Sequence, residues 1–173
     1  MKNLFAAFAF LAISFTIQGQ NLKTTIKVQA MDMARALVSN DFNSFLKYVH
    51  PEIMEHAEGK EKMKSRMDSA AAAMKQFGVS FKKILIGDPG EIINYKKQLQ
   101  CVVPESTDMQ SVLGEMHVET SLIAISADNG KTWYFIDTNI YKVDKIKMAL
   151  PDLSPHLVIP AQQKPKFTPN ANN

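Results

Sequence analysis

The sequence predicts an α+β domain in which helices come first and an antiparallel sheet follows. Apolar residues recur at every third or fourth position as far as Phe77, which is typical of helices with one buried side. After Gly78 the apolar period falls to two, which is typical of strands. The chain has 173 residues, of which 46% are hydrophobic and 21% charged, so it suits one domain with a substantial core.

Three helices are expected before the sheet. The first covers about 21–39, and the second covers about 40–50, where Pro51 ends it because the residue before a proline is disfavoured in a helix. A short extended crossover at 52–58 leads to the longest helix, at about 59–77. The basic residues of this helix lie mostly on one side, which indicates a solvated face, with anion binding as the alternative.

Four strands are expected next, at 79–86, 91–104, 109–126 and 131–138. Their turns are placed at D-P-G (88–90), S-T-D (106–108) and D-N-G (128–130). This order is a meander of antiparallel strands. The third strand is long enough to need a bulge, for which Gly114 is the expected position.

The domain is expected to span 20–150. A short helical or irregular stretch at 139–149 follows the last strand, and a Pro-rich tail at 151–173 completes the chain. The tail lacks apolar periodicity from Gln162 onward, so it is expected to be partly disordered.

The first 19 residues are typical of a secretory signal peptide. Lys2 precedes an apolar run from Leu4 to Ile17, which is shorter than the roughly 20 residues that span a bilayer. Small and polar residues follow, with a cleavage position near Gly19. We therefore expect an exported protein, periplasmic or secreted, with no membrane segment after cleavage; an uncleaved anchor is the alternative.

Charge and motifs argue against several classes of function. The formal net charge of +3 is spread along the chain, so no nucleic-acid partner is expected. None of the four histidines stands in a metal-binding pattern such as H-E-x-x-H, and we expect neither a metal nor another cofactor.

Cys101 is the single cysteine, so it cannot form a disulfide within the chain. The strand pattern places it on one face with Tyr95, Leu99 and Val103, which favours a buried packing role. An intermolecular bridge and a nucleophile are the alternatives.

The stretch S-A-D-N-G-K-T-W at 126–133 resembles the Asp box of sialidases and related β-propellers. A propeller needs several four-stranded blades, which a chain of this length cannot supply. We therefore interpret the motif as a hairpin staple, in which Asp128 and Gly130 suit a tight turn and Trp133 packs beneath it.

Two stretches carry a wider resemblance: Y-V-H-P-E-I-M-E-H-A-E-G-K-E-K-M at 48–63 and S-L-I-A-I-S-A-D-N-G-K-T-W-Y-F-I-D at 121–137. Together with the order of elements, they make residues 24–140 similar to the nuclear transport factor 2-like (cystatin-like) superfamily, including its small exported bacterial members. The resemblance implies a cone, in which helices pack on a strongly curved antiparallel sheet and leave an apolar pocket at the open end.

The superfamily contains both enzymes and binding proteins, so the resemblance leaves the activity open. A site like that of ketosteroid isomerase pairs an Asp base with a Tyr and a protonated Asp, and the first helix here has no Tyr. Glu55 and His56 fall where several family enzymes place an acid or a base, and Asp137 lies on the last strand. These three are the catalytic candidates; Glu55, His56 and Tyr95 are the ligand-binding candidates.

Two functions therefore remain open. The first is a non-catalytic exported domain that binds a small apolar ligand or a protein partner through the cone pocket, for which ten methionines would supply an adaptable lining. The alternative is a small isomerase, dehydratase or cyclase with Glu55 or His56 as general base.

A homodimer through the sheet is also expected, because the last two strands are apolar on both faces. One face carries Ile123, Ile125, Tyr134 and Ile136. Helices can cover only one side of a cone, so either this face or the opposite one would form the interface. The alternative is that the C-terminal segment 150–160 folds back over the uncovered face.

Overall fold

The computed structural model describes residues 21–170 and contains N-terminal helices and a six-stranded antiparallel sheet. The α+β class expected from the sequence is confirmed. The expected signal peptide lies outside the described residues.

Five helices are described: α1 over residues 21–38, α2 Phe42–Phe45, α3 Pro51–His56, α4 Lys60–Gln76 and α5 Val143–Ala149. Asp41 caps α2, since its Oδ1 accepts a hydrogen bond from the backbone nitrogen of Ser44 at 3.1 Å. The crossover at 52–58 is not extended as expected, because α3 begins at Pro51. Proline has the fixed φ and the missing N–H that suit a first helical position, so Pro51 starts a helix as well as ending the preceding segment.

The six strands are β1 Ser80–Ile86, β2 Ile93–Tyr95, β3 Gln98–Gln110, β4 Gly114–Ser126, β5 Tyr134–Asp137 and β6 Lys166–Pro169. The long β3–β4 hairpin forms the centre of the sheet. On its outer edges, β1 and β2 pair with the two halves of β3, while β5 and β6 pair with the two halves of β4. The sheet is not strongly curled or closed, so the strongly curved cone expected from the resemblance is not found.

The turn expected at 106–108 lies instead at 111–114. Backbone hydrogen bonds join Ser111 and Gly114 in both directions, at 2.9 and 3.3 Å. The S-T-D tripeptide continues β3, where it pairs with both β1 and β4. Gly114 is therefore the first residue of β4 and not a bulge within one long strand. A Cβ at Gly114 would lie 2.2 Å from the carbonyl oxygen of Thr168, so glycine is required where β6 passes.

The strand expected at 91–104 is broken by a tight turn at Lys96 and Lys97, whose φ angles are 46° and 65°. Two consecutive positive φ angles are typical of the turns that connect twisted hairpin strands. Tyr95 then pairs with Gln98, so it lies on the opposite face from Cys101. The expectation that Tyr95 and Cys101 share a face was wrong, since the turn reverses the chain between them.

Each face of the sheet has its own hydrophobic core. We call the first the α1 face, because α1 packs on it; its cluster comprises Ile26, Ala30, Met33, Cys101, Val103, Leu122, Ala124, Trp133 and Phe135. We call the second the α5 face; its cluster comprises Leu46, Val49, Ile53, Ile123, Ile125, Ile136, Ile146, Leu150 and Leu153. The sheet is therefore a middle layer between two apolar coverings.

The covering of the α5 face bears on the expected homodimer. Ile123, Ile125 and Ile136 are at most 2% exposed, under α5 and the segment that follows it. The uncovered apolar face that motivated the homodimer is absent from the described chain, because the C-terminal segment and residues 46–53 together cover it. The oligomeric state itself stays a prediction.

Part of the tail forms regular structure; its expected partial disorder stays a prediction. After crossing the α5 face, residues 166–169 form β6 and pair with the start of β4. Asn170 then donates hydrogen bonds to the carbonyl oxygens of Leu113 and Val112, at 3.1 and 3.0 Å. Backbone pairing of this kind does not require an apolar period, so the composition of the tail carried no signal for it.

Candidate functional site

The candidates from the sequence lie apart in the structure. Glu55 and His56 are exposed on α3, and Tyr95 lies on β2, where the Lys96 ammonium stands 5.7 Å from its ring centre. Asp137 is partly buried at the end of β5, on the α1 face. Within residues 21–170, no hydrogen bond or ion pair joins any two of these four residues.

A groove of about 590 Å³ opens on the α5 face, beyond the region that α5 covers. Leu85, Val102 and Pro104 give it an apolar floor. The tail segment 160–163 forms one wall. Gln162 holds this wall in place, since its Nε2 donates to the carbonyl oxygens of Thr138 and Asn139.

The polar end of the groove contains His117, whose ring nitrogens both face carboxylates. Nδ1 lies 2.6 Å from Oδ1 of Asp108, and Nε2 lies 3.4 Å from Oε1 of Glu119. The hydrogen bond to Asp108, and then the one to Glu119, raise the pKa of His117 above its usual value. Lys166 adds a further positive charge 3.9 Å from Glu119. The ring is thus fixed in orientation and favoured in its protonated form.

Strand register assembles this cluster. Asp108 on β3 pairs with His117 on β4, and Ser106 pairs with Glu119, so all four side chains project from the α5 face. The sequence analysis missed the cluster because it assigned Asp108 to a turn. The alternation E-x-H-x-E at 115–119 opposite S-x-D-x-Q at 106–110 could have indicated it, given the correct position of the hairpin.

A second titratable pair, Glu105 and Asp137, lies on the α1 face. Glu105 is 8% exposed, and its Oε2 has no hydrogen-bond partner. Burial, and then the charge of Asp137, raise the pKa of Glu105 to about 8. Burial also raises the pKa of Asp137, although its Oδ1 accepts hydrogen bonds from Thr120 Oγ1 at 3.3 Å and from the Asn139 backbone at 2.7 Å. The structure therefore places the candidate Asp137 beside a buried carboxyl group that the sequence analysis did not single out.

Cys101 is completely buried, and burial raises the pKa of its thiol to about 12. A thiol in this state is a poor nucleophile. The packing role expected for Cys101 is confirmed.

The Asp-box motif is a structural hairpin, as expected. Oδ1 of Asp128 accepts hydrogen bonds from Ser126 Oγ at 2.8 Å and from the backbone nitrogens of Lys131 and Thr132 at 3.1 and 2.9 Å. Trp133 is completely buried and donates from Nε1 to the carbonyl oxygen of Gly130 at 3.0 Å. The polar atoms of the motif thus serve the turn itself.

Comparison with known proteins assigns no family: no family model matches the chain, and no curated protein matches it. None of the helices within residues 21–170 combines the length and apolar character that crossing a bilayer requires. In the same residues, no three or more histidine, cysteine, aspartate or glutamate side chains are arranged so that they could hold a metal ion.

Proposed function

We propose that the protein is a non-catalytic, exported binding domain that takes a small, largely apolar and uncharged molecule in the groove on the α5 face. The observation that carries this proposal is the groove of about 590 Å³, with an apolar floor and a polar end. Small-molecule sites combine these two features, because apolar burial provides affinity and a few polar groups set orientation. Export rests on the signal peptide expected at 1–19.

The charges around the groove favour an uncharged ligand. Asp108 and Glu119 flank His117, and Lys166 lies beside Glu119, so each charge already has a partner of opposite sign. A charged ligand would have to compete with these contacts. A hydroxyl or amide group on the ligand could instead bond Ser106, Ser121 or Gln162, which line the groove.

The positions of the other candidates support binding without catalysis. Glu55 and His56 are exposed on α3, outside the groove. Glu105 borders the groove, but strand alternation places its side chain on the α1 face with Val103. A general acid or base must reach the atom that it protonates or deprotonates, and none of these three side chains projects into the groove.

A neutral solvatochromic dye such as Nile red tests the groove directly. We expect the dye to bind with an increase in fluorescence, and Val102→Trp to weaken binding by about tenfold or more because the indole would fill the apolar floor. Val28→Trp is the matched control, since Val28 is half exposed on α1 and lies outside the groove. Equal dye binding by the two variants, with both folded by circular dichroism, would exclude the groove as the site.

A second candidate function is general acid–base catalysis by His117. The observation that favours it is the 2.6 Å contact with Asp108, which orients the imidazole at the edge of the groove. In that case the protein would exchange α-protons of hydrophobic ketones for deuterium in heavy water, and His117→Gln would abolish the exchange. His156→Gln, at an exposed position, is the control. Exchange no faster than in buffer would reject this candidate and leave the binding proposal standing.

A further inference from the structure

A second cavity, of about 450 Å³, lies between α3, α4 and α5. We call it the three-helix cleft. It is separate from the groove, because the two cavities share no lining residue. The volume falls within the range of about 300–1,000 Å³ that is typical of small-molecule sites.

The cleft has an apolar floor. Ile53 and Ile146 are 4% and 0% exposed, and Ala149 lies partly buried beside them. Met148, which is 75% exposed, stands at the rim. A long exposed thioether beside a cavity can fold over an apolar ligand, since methionine is flexible and polarizable.

Basic side chains surround this floor. Arg66, Lys145 and His56 all line the cleft. Arg66 is held there by an ion pair with Glu58 and by a 3.5 Å contact with the carbonyl oxygen of Ala57. Lys145 has no ion-pair partner within residues 21–170, so its charge is available to a ligand.

Tyr141 adds a hydrogen-bond donor to the same wall. Its side chain is partly buried, and burial raises the pKa of its hydroxyl, which therefore keeps its proton at neutral pH. Among the described residues, no hydrogen bond to this hydroxyl is found. Two charges also act on this hydroxyl: Arg66 lowers its pKa, and Asp137 raises it by a smaller amount.

We propose that the three-helix cleft binds an amphipathic anion, with a carboxylate or similar head group at Lys145 and Tyr141 and an aliphatic tail against Met148 and Ala149. The charged end of the cleft matches the head group of this ligand, and the apolar end matches its tail. A neutral hydrocarbon would make no ion pair with Lys145, and a small inorganic anion would leave the exposed Met148 side chain in water.

Decanoate is the probe, and its binding to the chain without the expected signal peptide is measured by isothermal titration calorimetry at pH 7. We expect one decanoate to bind per chain. Decanol lacks the charge and acetate lacks the tail, so both are expected to bind about tenfold more weakly or worse. Lys145→Gln and Tyr141→Phe are each expected to weaken decanoate binding by roughly three- to tenfold. Lys147→Gln, an exposed position on the same helix that does not line the cleft, is the matched control and is expected to have no effect.

Several outcomes would overturn the proposal. The first is absence of decanoate binding at millimolar concentration. The second is binding that Lys145→Gln and Tyr141→Phe leave unchanged, or that decanol matches. The third is binding that Val102→Trp removes while the cleft variants do not, since that would place decanoate in the groove. Lys145 is exposed and Tyr141→Phe conserves the ring, so both variants are expected to fold, as circular dichroism can verify.

Discussion

Glu105→Gln is expected to raise the free energy of unfolding at pH 8 by about 4 kcal/mol and to change it little at pH 5. The pKa of Glu105 is about 8 in the folded chain, against an ordinary value of 4.5. The folded state therefore binds a proton more tightly than the unfolded state between these two values. Stability from this group is fully present below about pH 4.5 and is lost as the pH rises through 8. Glutamine resembles the protonated acid in shape but cannot ionise, so the variant does not lose this stability as the pH rises.

His50 makes stability depend on pH in the opposite direction. It is buried, its Nδ1 has no hydrogen-bond partner, and burial lowers its pKa to about 4 from an ordinary value of 6.5. The unfolded state therefore binds the extra proton between pH 4 and 6.5, and stability from His50 rises with pH across that window. The two slopes oppose each other between about pH 4.5 and 6.5. Between 6.5 and 8 the loss from Glu105 continues, and His117 adds to it, because its hydrogen bonds to Asp108 and Glu119 raise its pKa in the folded chain. The stability of the natural chain is expected to vary little between about pH 4.5 and 6.5 and to fall at higher pH.

Urea unfolding between pH 4 and 9 measures how the free energy of unfolding changes with pH for both groups. Glu91→Gln is the matched control, because it makes the same chemical change at a glutamate that is exposed. The control is expected to keep the full fall in stability above pH 6.5, whereas Glu105→Gln is expected to keep only the smaller part that comes from His117. If Glu105→Gln shows the same fall as the control, Glu105 is not the buried acid responsible.

Trp133→Ala is expected to lower the free energy of unfolding by about 3–5 kcal/mol, which is the usual cost of truncating a buried aromatic side chain. The indole is completely buried in the α1-face core. It also donates to Gly130, and the Trp133 backbone nitrogen donates to Gln29 Oε1 at 2.8 Å, which ties the hairpin to α1. The change therefore affects both the core and the attachment of the turn.

Urea unfolding of Trp133→Phe separates these contributions. Phenylalanine retains much of the packing but loses the indole hydrogen bond, so a smaller loss than for Trp133→Ala is expected. Nile red binding in the groove is expected to persist in whichever variant remains folded, since Trp133 does not line the groove. A loss below 1 kcal/mol for Trp133→Ala would contradict the structural role of the motif.

Features that depend on residues close together in the chain could be predicted from the sequence. The Asp-box hairpin is the clearest example, because Ser126 and Thr132 both donate hydrogen bonds to Asp128 within a stretch of seven residues. The same holds for α1 and α4, whose apolar periods extend over several turns. It also holds for Cys101, whose apolar neighbours on β3 indicated a buried thiol. In each case the stabilising contacts or the pattern lie within one element.

The position of the central hairpin turn was decided by tertiary structure. S-T-D at 106–108 has a composition suited to a turn, yet it pairs on one side with β1 and on the other with β4. Two ladders of backbone hydrogen bonds outweigh the local preference of these residues for a turn. Since the turn sets which residues face each other, the Asp108–His117 contact could not be predicted without it.

The covering of both sheet faces was also decided by packing between distant parts of the chain. The apolar residues on both faces of the last two strands indicated that both faces must be covered. A second copy of the chain could cover the second face as well as the C-terminal segment of the same chain could. In the structure the chain itself covers this face: the C-terminal segment contributes Ile146, Leu150 and Leu153, and residues 46–53 add to the same cluster. Hydrophobic burial has no direction, so the sequence by itself determined that this surface must be buried, and only the tertiary structure decided what buries it.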